Sequence, residues 1–196
     1  MSPRARAVGR AFFDRPPQAV AEDLVGCELS FGGAGGVIVE AEAYGQDDPA
    51  SHSFRGETPR CSAMFGPPGT VYVYLIHGLH WCLNLVTEER GRGAAVLIRA
   101  IEPTHGIHAM RERRGVDDDR LLCAGPGRLT QALGITGHIN GMARSAAGLH
   151  VGPRSTVPDI ACVPRIGISE ARELPWRMVA RGSRFLSRPI PRSTPA

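Results

Sequence analysis

The stretch Val37-Ile-Val-Glu-Ala-Glu-Ala-Tyr44 predicts a β-strand that carries charge into the fold. Its β-branched residues favour extended backbone, and successive side chains of a strand point to opposite faces. Glu40, Glu42 and Tyr44 therefore share one face near the end of the strand. Two neighbouring carboxylates in a partly apolar cleft would raise the pKa of one of them, which suits a general base. The alternative is a polar stripe that faces solvent.

The segments on either side of this strand predict an α+β fold, because several strands precede the helices of the middle of the chain instead of alternating with them. The glycine run 32–36 predicts a hairpin turn into the strand. The other predicted strands are Cys27–Phe31, Thr70–Ile76, Trp81–Thr87 and Ala94–Ile101, and the predicted helices are Gln18–Val25, Thr104–Arg114 and Gly125–Leu133. A solvated turn is predicted at Asp117–Asp119, and a long functional loop at 47–68.

The chain has 196 residues, of which 42% are hydrophobic, so we expect a single domain over 1–196 with its own core. We expect residues 1–10 and 189–196 to be flexible ends. The five cysteines are scattered, without zinc or redox spacing, which favours a reducing compartment. The N-terminus has no signal-peptide pattern and no apolar run is long enough to span a membrane. We therefore expect a cytoplasmic protein.

All 23 basic residues other than histidine are arginine. The absence of lysine excludes mechanisms that need a lysine amine, such as a Schiff base or a phosphate-binding P-loop lysine. Residues 1–100 carry 9 Arg and 11 acidic residues, whereas residues 101–196 carry 14 Arg and 8 acidic residues. The formal charge is therefore −2 in the first half and +6 in the second. A basic second half fits a polyanionic partner, and the alternative is a solvated arginine-rich surface.

Four side chains in the later strands are candidates for binding or catalysis. Tyr72 and Tyr74 alternate in one strand, and they either pack on the sheet or offer a stacking surface for a base. Arg99 lies among apolar residues, where it needs a carboxylate or phosphate partner. Asn84 lies in an apolar run, where a hydrogen bond to a buried backbone group would explain it.

His77 and His80 are close enough in sequence to suggest a metal site, but no second set of ligands follows at a matching spacing. We therefore expect no metal and interpret this segment as a surface turn from which His77 protrudes.

Short sequence motifs then come in an order that resembles one known family. They are Val39-Glu-Ala-Glu-Ala-Tyr44, Ala50-Ser-His-Ser-Phe54, Thr58-Pro-Arg60, Met64-Phe65, Gly69-Thr-Val-Tyr-Val-Tyr74, Cys82-Leu-Asn84, Val96-Leu-Ile-Arg-Ala-Ile-Glu-Pro103, Gly125-Pro-Gly127 and Pro164-Arg-Ile-Gly-Ile168. Each motif is weak alone, but the ordered set over about residues 10–188 is specific. It resembles the alkyladenine (3-methyladenine) DNA glycosylase family, of the methylpurine-DNA glycosylase type.

The resemblance implies a monofunctional DNA glycosylase of base excision repair. Such an enzyme flips an alkylated or deaminated purine out of double-stranded DNA, hydrolyses its N-glycosidic bond and leaves an abasic site. The implied substrates are 3-methyladenine and related bases, with hypoxanthine and ethenoadenine as neutral candidates. The implied fold is a single mixed α/β domain with a curved antiparallel sheet and peripheral helices. The resemblance implies no cofactor and no metal, and we expect a monomer that binds DNA and no membrane.

The resemblance also assigns the catalytic residues. Glu42 matches the general base that activates a water for attack at C1′. Arg99 matches the residue that holds that water and the carboxylate, and Ile166 matches a position whose backbone carbonyl also holds the water. Glu40 is then a supporting residue at the edge of the core.

The base pocket is assigned in the same way. Tyr44, His52 and Tyr74 match the walls that enclose the flipped base, and Asn84 matches a floor residue that crowds the amino group of guanine. His77 matches the tip that wedges into the gap left by the base.

Three departures from the family pattern concern substrate range and stability. The wedge is often tyrosine in the family, whereas His77 is smaller and its charge depends on pH. Cys61 stands where asparagine is common, and the segment from Asn140 to Ser145 lacks an expected acidic residue.

Two other functions remain open on the sequence. One is a DNA-binding protein that senses damage without catalysis, and the other is a hydrolase of free nucleosides.

Overall fold

Two long strands, β2 (Ala34–Tyr44) and β5 (Ala95–His105), pair antiparallel at the centre of the sheet. The computed structural model describes residues 6–191. The predicted flexible ends, 1–10 and 189–196, lie partly outside these described residues and stay a prediction. Within the described part, the Val8 amide donates a 2.9 Å hydrogen bond to the carbonyl of Val151.

The remaining strands extend the sheet on both sides of this central pair. They are β1 (Glu28–Phe31), β3 (Val71–Ile76), β4 (His80–Val86), β6 (His150–Gly152), β7 (Ile160–Val163) and β8 (Arg177–Ala180). The strand order is β3-β4-β5-β2-β1-β6, with β8 pairing with the second half of β2 and β7 pairing with β8. Every pair is antiparallel, and the sheet curls into a half-barrel, which confirms the predicted α+β fold with a curved antiparallel sheet.

Within residues 6–191, four α-helices cover the sheet. They are α1 (Pro17–Leu24), α2 (Ile107–Arg114), α3 (Asp119–Leu122) and α4 (Pro126–Leu133). Both α1 and α4 begin with proline, whose fixed φ suits the first helical turn. Leu24 of α1 and Leu129 of α4 are fully buried in one hydrophobic core with residues of β2 and β5.

The structure corrects two predicted elements. The helix predicted from Thr104 begins only at Ile107, because β5 continues through Pro103 and pairs it with Gly36 of β2. The turn predicted at Asp117–Asp119 is instead the start of α3, where the Asp118 carboxylate caps the helix by accepting a hydrogen bond from the Arg120 amide.

The pairing of β2 with β5 shifts register on either side of Glu40. Such a β-bulge bends a strand and changes the direction of its side chains. Ile38, before the bulge, packs in the hydrophobic core, whereas Glu40 and Glu42 have no exposed surface and contact charged groups. The alternative of a polar stripe that faces solvent is therefore wrong.

The hairpin predicted at the glycine run is present. One glycine of this run, Gly36 inside β2, is needed because β5 lies very close to it. The turn occupies residues 32–33, and β2 begins at Ala34. At Gly36 an added Cβ would lie 2.0 Å from the backbone oxygen of Glu102 on β5. The two central strands therefore approach too closely here for any side chain.

All five cysteines are free thiols, four of them buried and Cys162 exposed. No helix within residues 6–191 is both long enough and apolar enough to cross a membrane.

We expect Gly36→Ala to lower the free energy of unfolding by about 2 kcal/mol or more, because the new methyl group must push the β5 backbone away. Gly9→Ala is the matched control, since Gly9 is exposed and no atom lies within 4 Å of its added Cβ. That control should stay within about 0.5 kcal/mol of the parent protein in urea unfolding. Equal stability of the two variants would contradict the close approach.

Candidate active site

A cavity of about 540 Å³ opens where the ends of β2, β3 and β4 meet the loops around residues 50 and 167. It brings together most of the side chains that the sequence predicts for the site. The predicted residues that border it are Tyr44, His52, Tyr74, His77, Asn84, Arg99 and Ile166. Glu42 does not border the cavity and has no exposed surface, although its carboxylate lies directly behind Tyr44 and Arg99.

The carboxylate of Glu42 accepts three hydrogen bonds. Its Oε2 atom accepts one from the Tyr44 hydroxyl at 2.8 Å and one from Nη1 of Arg99 at 3.2 Å. Its Oε1 atom accepts one from the backbone amide of Ile166 at 2.8 Å. Burial and the negative charge of Glu42 raise the pKa of Tyr44. The Tyr44 hydroxyl therefore stays protonated and donates a hydrogen bond to Glu42. Tyr44, Arg99 and Ile166, all predicted site residues, thus surround the carboxylate of Glu42.

Glu40 forms a second charged centre, next to the first. Its Oε1 atom accepts hydrogen bonds from Nε of Arg99 at 3.0 Å, Nε of Arg177 at 2.7 Å and the Ser187 hydroxyl at 2.6 Å, and its Oε2 atom accepts one from the Ser187 amide. Burial alone would raise the pKa of Glu40, but the two guanidinium groups and the Ser187 donors outweigh it and hold that pKa below its usual value. The sequence pointed to Glu40 but to neither Arg177 nor Ser187.

Arg99 is shared by the two carboxylates. It lies on β5, opposite β2, with 7% of its surface exposed, and it reaches Glu40 through Nε and Glu42 through Nη1. Its predicted need for a charged partner is met by these two carboxylates.

Two of the predicted aromatic walls touch each other. The rings of His52 and Tyr74 meet edge to face with centroids 4.6 Å apart, so no base fits between them. The Nδ1 atom of His52 also makes a 2.9 Å hydrogen bond with the hydroxyl of Tyr72. His52 and Tyr74 therefore form one continuous part of the cavity lining, and Tyr44 also borders the cavity.

Desolvation at this wall, together with the positive charge of Arg60, lowers the pKa of His52. Its imidazole is therefore neutral at neutral pH and adds no positive charge to the cavity.

Asn84 borders the cavity and also joins two strands. Its Nδ2 atom donates to the carbonyl of Tyr72 at 3.1 Å and to that of Cys82 at 3.3 Å. The backbone hydrogen bond expected from the sequence is therefore confirmed.

The turn between β3 and β4 carries His77 at the mouth of the cavity. His77 is exposed and has φ of 51°, a left-handed conformation that is uncommon for residues other than glycine. Leu79, two residues on, is 75% exposed. The turn thus projects an imidazole and an apolar side chain beside the cavity.

The structure adds a buried ion pair that the sequence did not reveal. The guanidinium of Arg165 binds both carboxylate oxygens of Asp48, with Nη2 to Oδ1 at 2.9 Å, and neither side chain has exposed surface. The same guanidinium lies over the ring of Tyr44, 4.7 Å from its centroid, and over the ring of Trp176 at 5.2 Å. The motif Pro164-Arg-Ile-Gly-Ile168 was the one signal, and it drew attention to Ile166 rather than to its neighbour.

The departure at Cys61 is accommodated locally. Its buried thiol lies 3.1 Å from the hydroxyl of Thr58 and 3.4 Å from the Thr58 amide, and it thereby closes the turn after Gly56. Among residues 6–191, no group of three or more His, Cys, Asp or Glu side chains is placed to hold a metal ion.

Comparison with known proteins identifies the family. A family model described as methylpurine-DNA glycosylase matches residues 11–184, which is most of the chain. The chain belongs to the methylpurine-DNA glycosylase family. The predicted resemblance is therefore confirmed, and the protein is a DNA glycosylase, a hydrolase of N-glycosyl bonds that acts on DNA.

Several bacterial relatives match over nearly their full length, and they carry the name "Putative 3-methyladenine DNA glycosylase". One from Rhodopseudomonas palustris strain CGA009 is 56% identical over 183 residues, which cover 93% of this chain and 89% of the relative. One from Bradyrhizobium diazoefficiens is 52% identical over 93% of this chain and 92% of the relative. One from Nitrosospira multiformis is 53% identical over 87% of this chain and 89% of the relative.

The Glu40 centre predicts a specific dependence of stability on pH. Because the pKa of Glu40 is lower in the folded state, its carboxylate stabilises the fold above its ordinary pKa of 4.5. That contribution is lost as the pH falls through the folded-state pKa. Glu40→Gln should cost roughly 3–5 kcal/mol at pH 7, because it leaves buried arginines without their partner.

In urea unfolding, the difference between Glu40→Gln and the parent protein should shrink as the pH falls below about 4. Glu57→Gln, at an exposed position, is the control and should follow the parent at every pH. A difference that stays constant from neutral to acidic pH would mean that Glu40 is not ionised in the folded protein.

Proposed function

We propose that this glycosylase flips an alkylated purine such as 3-methyladenine into the cavity and hydrolyses its N-glycosidic bond with a water activated by Glu42. One observation carries the proposal. The carboxylate of Glu42 is held by donors from Tyr44, Arg99 and Ile166, directly behind the wall of an aromatic cavity. A general base needs to be positioned in this way beside the reacting atoms.

The hydrogen bonds of Glu42 leave room for one water. An ionised carboxylate has about four acceptor positions, and the protein fills three of them. The remaining position suits a water that gives its proton to Glu42 while its oxygen attacks C1′ of the flipped nucleotide. Since Glu42 has no exposed surface, this water reaches it only when the Tyr44 hydroxyl or the loop of Ile166 shifts as DNA binds.

Arg99 and Ile166 support this step from opposite sides of the carboxylate. Arg99 is itself fixed by Glu40, so its Nη1 atom holds one oxygen of Glu42 in place. The amide of Ile166 holds the other oxygen, and its carbonyl is our candidate for orienting the water. The contact with the amide is one that the sequence did not suggest.

The walls of the cavity suit a flat purine. We place the base between Tyr44 on one side and the touching pair of His52 and Tyr74 on the other. Asn84, which also borders the cavity, is our candidate for the residue that crowds the amino group of guanine. A base that is already cationic leaves without acid catalysis, whereas neutral hypoxanthine or ethenoadenine needs either a proton on the leaving base or strong contacts with these walls.

The enzyme is proposed to be monofunctional. Strand cleavage by a glycosylase needs an amine that forms an imine with the sugar, and this chain has no lysine. The abasic strand should therefore remain intact, as expected for base excision repair that continues with other enzymes. Exposed arginines of the basic second half, such as Arg128 and Arg184, are candidates for binding DNA phosphates.

Glu42→Gln tests the catalytic role. The amide keeps the size of the side chain but takes no proton from water, so base release should fall by about a hundredfold or more while lesion DNA remains bound. Single-turnover release of 3-methyladenine from a duplex and binding to the same duplex are the measurements. Glu57→Gln is the control and should release the base at the parental rate.

The outcomes separate the rival functions. Unchanged release by Glu42→Gln would remove Glu42 from the mechanism. Failure of the parent protein to release any base would favour a DNA-binding protein without catalysis. Cleavage of free nucleosides, without steep loss of activity as salt rises, would favour a nucleoside hydrolase.

His77→Ala tests the wedge. The loss of the imidazole should slow base release from duplex DNA several-fold more than release from single-stranded DNA, because only the duplex has a stacked gap to fill. His108→Ala is the matched control, since His108 lies exposed on α2 with its side chain 89% accessible. An equal effect of His77→Ala on both substrates would rule out the wedge.

A further inference from the structure

The two faces of Tyr44 meet different surroundings. The ring borders the cavity, where the proposed function places a purine. The guanidinium of Arg165 lies over the same ring with Cζ 4.7 Å from the centroid. Because the Arg165 side chain has no exposed surface and does not border the cavity, it lies on the far side of the ring. A base stacked on Tyr44 therefore has a permanent positive charge behind its stacking partner.

That positive charge is neutralised at close range by Asp48. Its two carboxylate oxygens face the two terminal nitrogens of Arg165 in a bidentate pair, and its own side chain is fully buried. The Oδ1 atom of Asp48 also accepts a 3.0 Å hydrogen bond from the Ala50 amide, at the start of the loop that carries His52. The pair thus supports both walls of the cavity and leaves no net charge behind Tyr44.

We propose that Asp48 is a specificity-determining residue, which lets the cavity accept positively charged bases by neutralising Arg165 behind the Tyr44 ring. The inference rests on the proposed function and deepens it, because it concerns the charge of the bases that this same cavity takes. The inference assigns Asp48 and Arg165 a role in selecting substrates, although neither residue touches the base.

The physical reason is the direction of the field across the ring. The face of an aromatic ring attracts a cation, so Tyr44 favours a cationic purine. A guanidinium without its carboxylate would repel that purine through the ring, over about 8 Å, while it would leave a neutral base nearly unaffected. At an effective dielectric constant between about 20 and 40, this repulsion changes binding by roughly five- to thirtyfold.

The neighbouring carboxylates do not replace Asp48 as the ion-pair partner of Arg165, although Glu42 is near enough to act on its charge. Glu42 and Glu40 are bound by Arg99 and Arg177, so this group of four is balanced internally. Asp48 is the one carboxylate in the described residues that forms an ion pair with Arg165. Its removal alone therefore leaves one positive charge unbalanced behind the wall.

The test compares a cationic and a neutral base of the same shape. The probes are two duplexes, one with 3-methyladenine and one with its neutral 3-deaza analogue, and binding is measured in a Glu42→Gln background so that the base is not released. The variants are Asp48→Asn and the double variant Asp48→Asn/Arg165→Met. Asparagine keeps the shape of Asp48 and can still accept from the Ala50 amide.

Asp48→Asn should weaken binding of the cationic duplex roughly five- to thirtyfold more than binding of the neutral one. The double variant carries neither charge, so the ratio of the two dissociation constants should return to that of the Glu42→Gln protein even if both duplexes bind more weakly. Asp47→Asn is the matched control, because Asp47 is the exposed neighbour and should leave the ratio unchanged. Both affinities come from one preparation, so a loss of folded protein cancels in the ratio.

An equal weakening of both duplexes by Asp48→Asn would overturn the inference, and so would a double variant that keeps the altered ratio. Those outcomes would assign the pair a structural role only. The proposed function fails in a different way, since the protein with Glu42 intact would then release no base from either duplex.

Discussion

The guanidinium of Arg99, held between the carboxylates of Glu40 and Glu42, is the interaction on which the rest of the site depends. Two buried carboxylates on one strand repel each other, and each loses several kcal/mol of hydration when it leaves water. One arginine from the neighbouring strand offsets both penalties because it reaches both carboxylates. The bulge in the β2–β5 pairing lies at Glu40, so the regular register of the two strands is interrupted at the position of the ion pairs.

From this centre the charged network joins distant parts of the chain. Glu40 binds Arg177 and Ser187, which follow it by 137 and 147 positions, and Glu42 binds the amide of Ile166, which follows by 124. The C-terminal segment is therefore part of the support of the proposed catalytic base. Since each carboxylate is bound by donors that come from separate elements, the arrangement forms only when the whole fold has formed. This explains how a small enzyme holds several charges in its interior.

The sequence predicted the strands β1 to β5 and the residues that lie in them, because their information is local. Alternation placed Glu42 and Tyr44 together, and an arginine inside an apolar strand pointed to a buried partner. The predicted start of α2 at Thr104 was wrong, because β5 continues through Pro103, which pairs with β2, and the helix begins only at Ile107.

The pair formed by Asp48 and Arg165 could not be predicted, since both residues lie in loops and 117 positions separate them. The contact between His52 and Tyr74 was not predicted because His52 lies in a loop, although Tyr74 lies in β3. Loop residues carry no periodicity that fixes the direction of a side chain, so only the assembled fold decides which of them meet.

The distribution of tyrosine gives this protein an unusual spectroscopic property. The chain has three tyrosines, and Tyr44, Tyr72 and Tyr74 all lie at the cavity or in contact with its walls. Protein labelled with fluorotyrosine would therefore show one fluorine resonance for each of the three, with no background from the rest of the molecule. Every change in such a spectrum on addition of DNA would report on the pocket itself, so the occupancy of the site can be followed without a probe attached to the substrate.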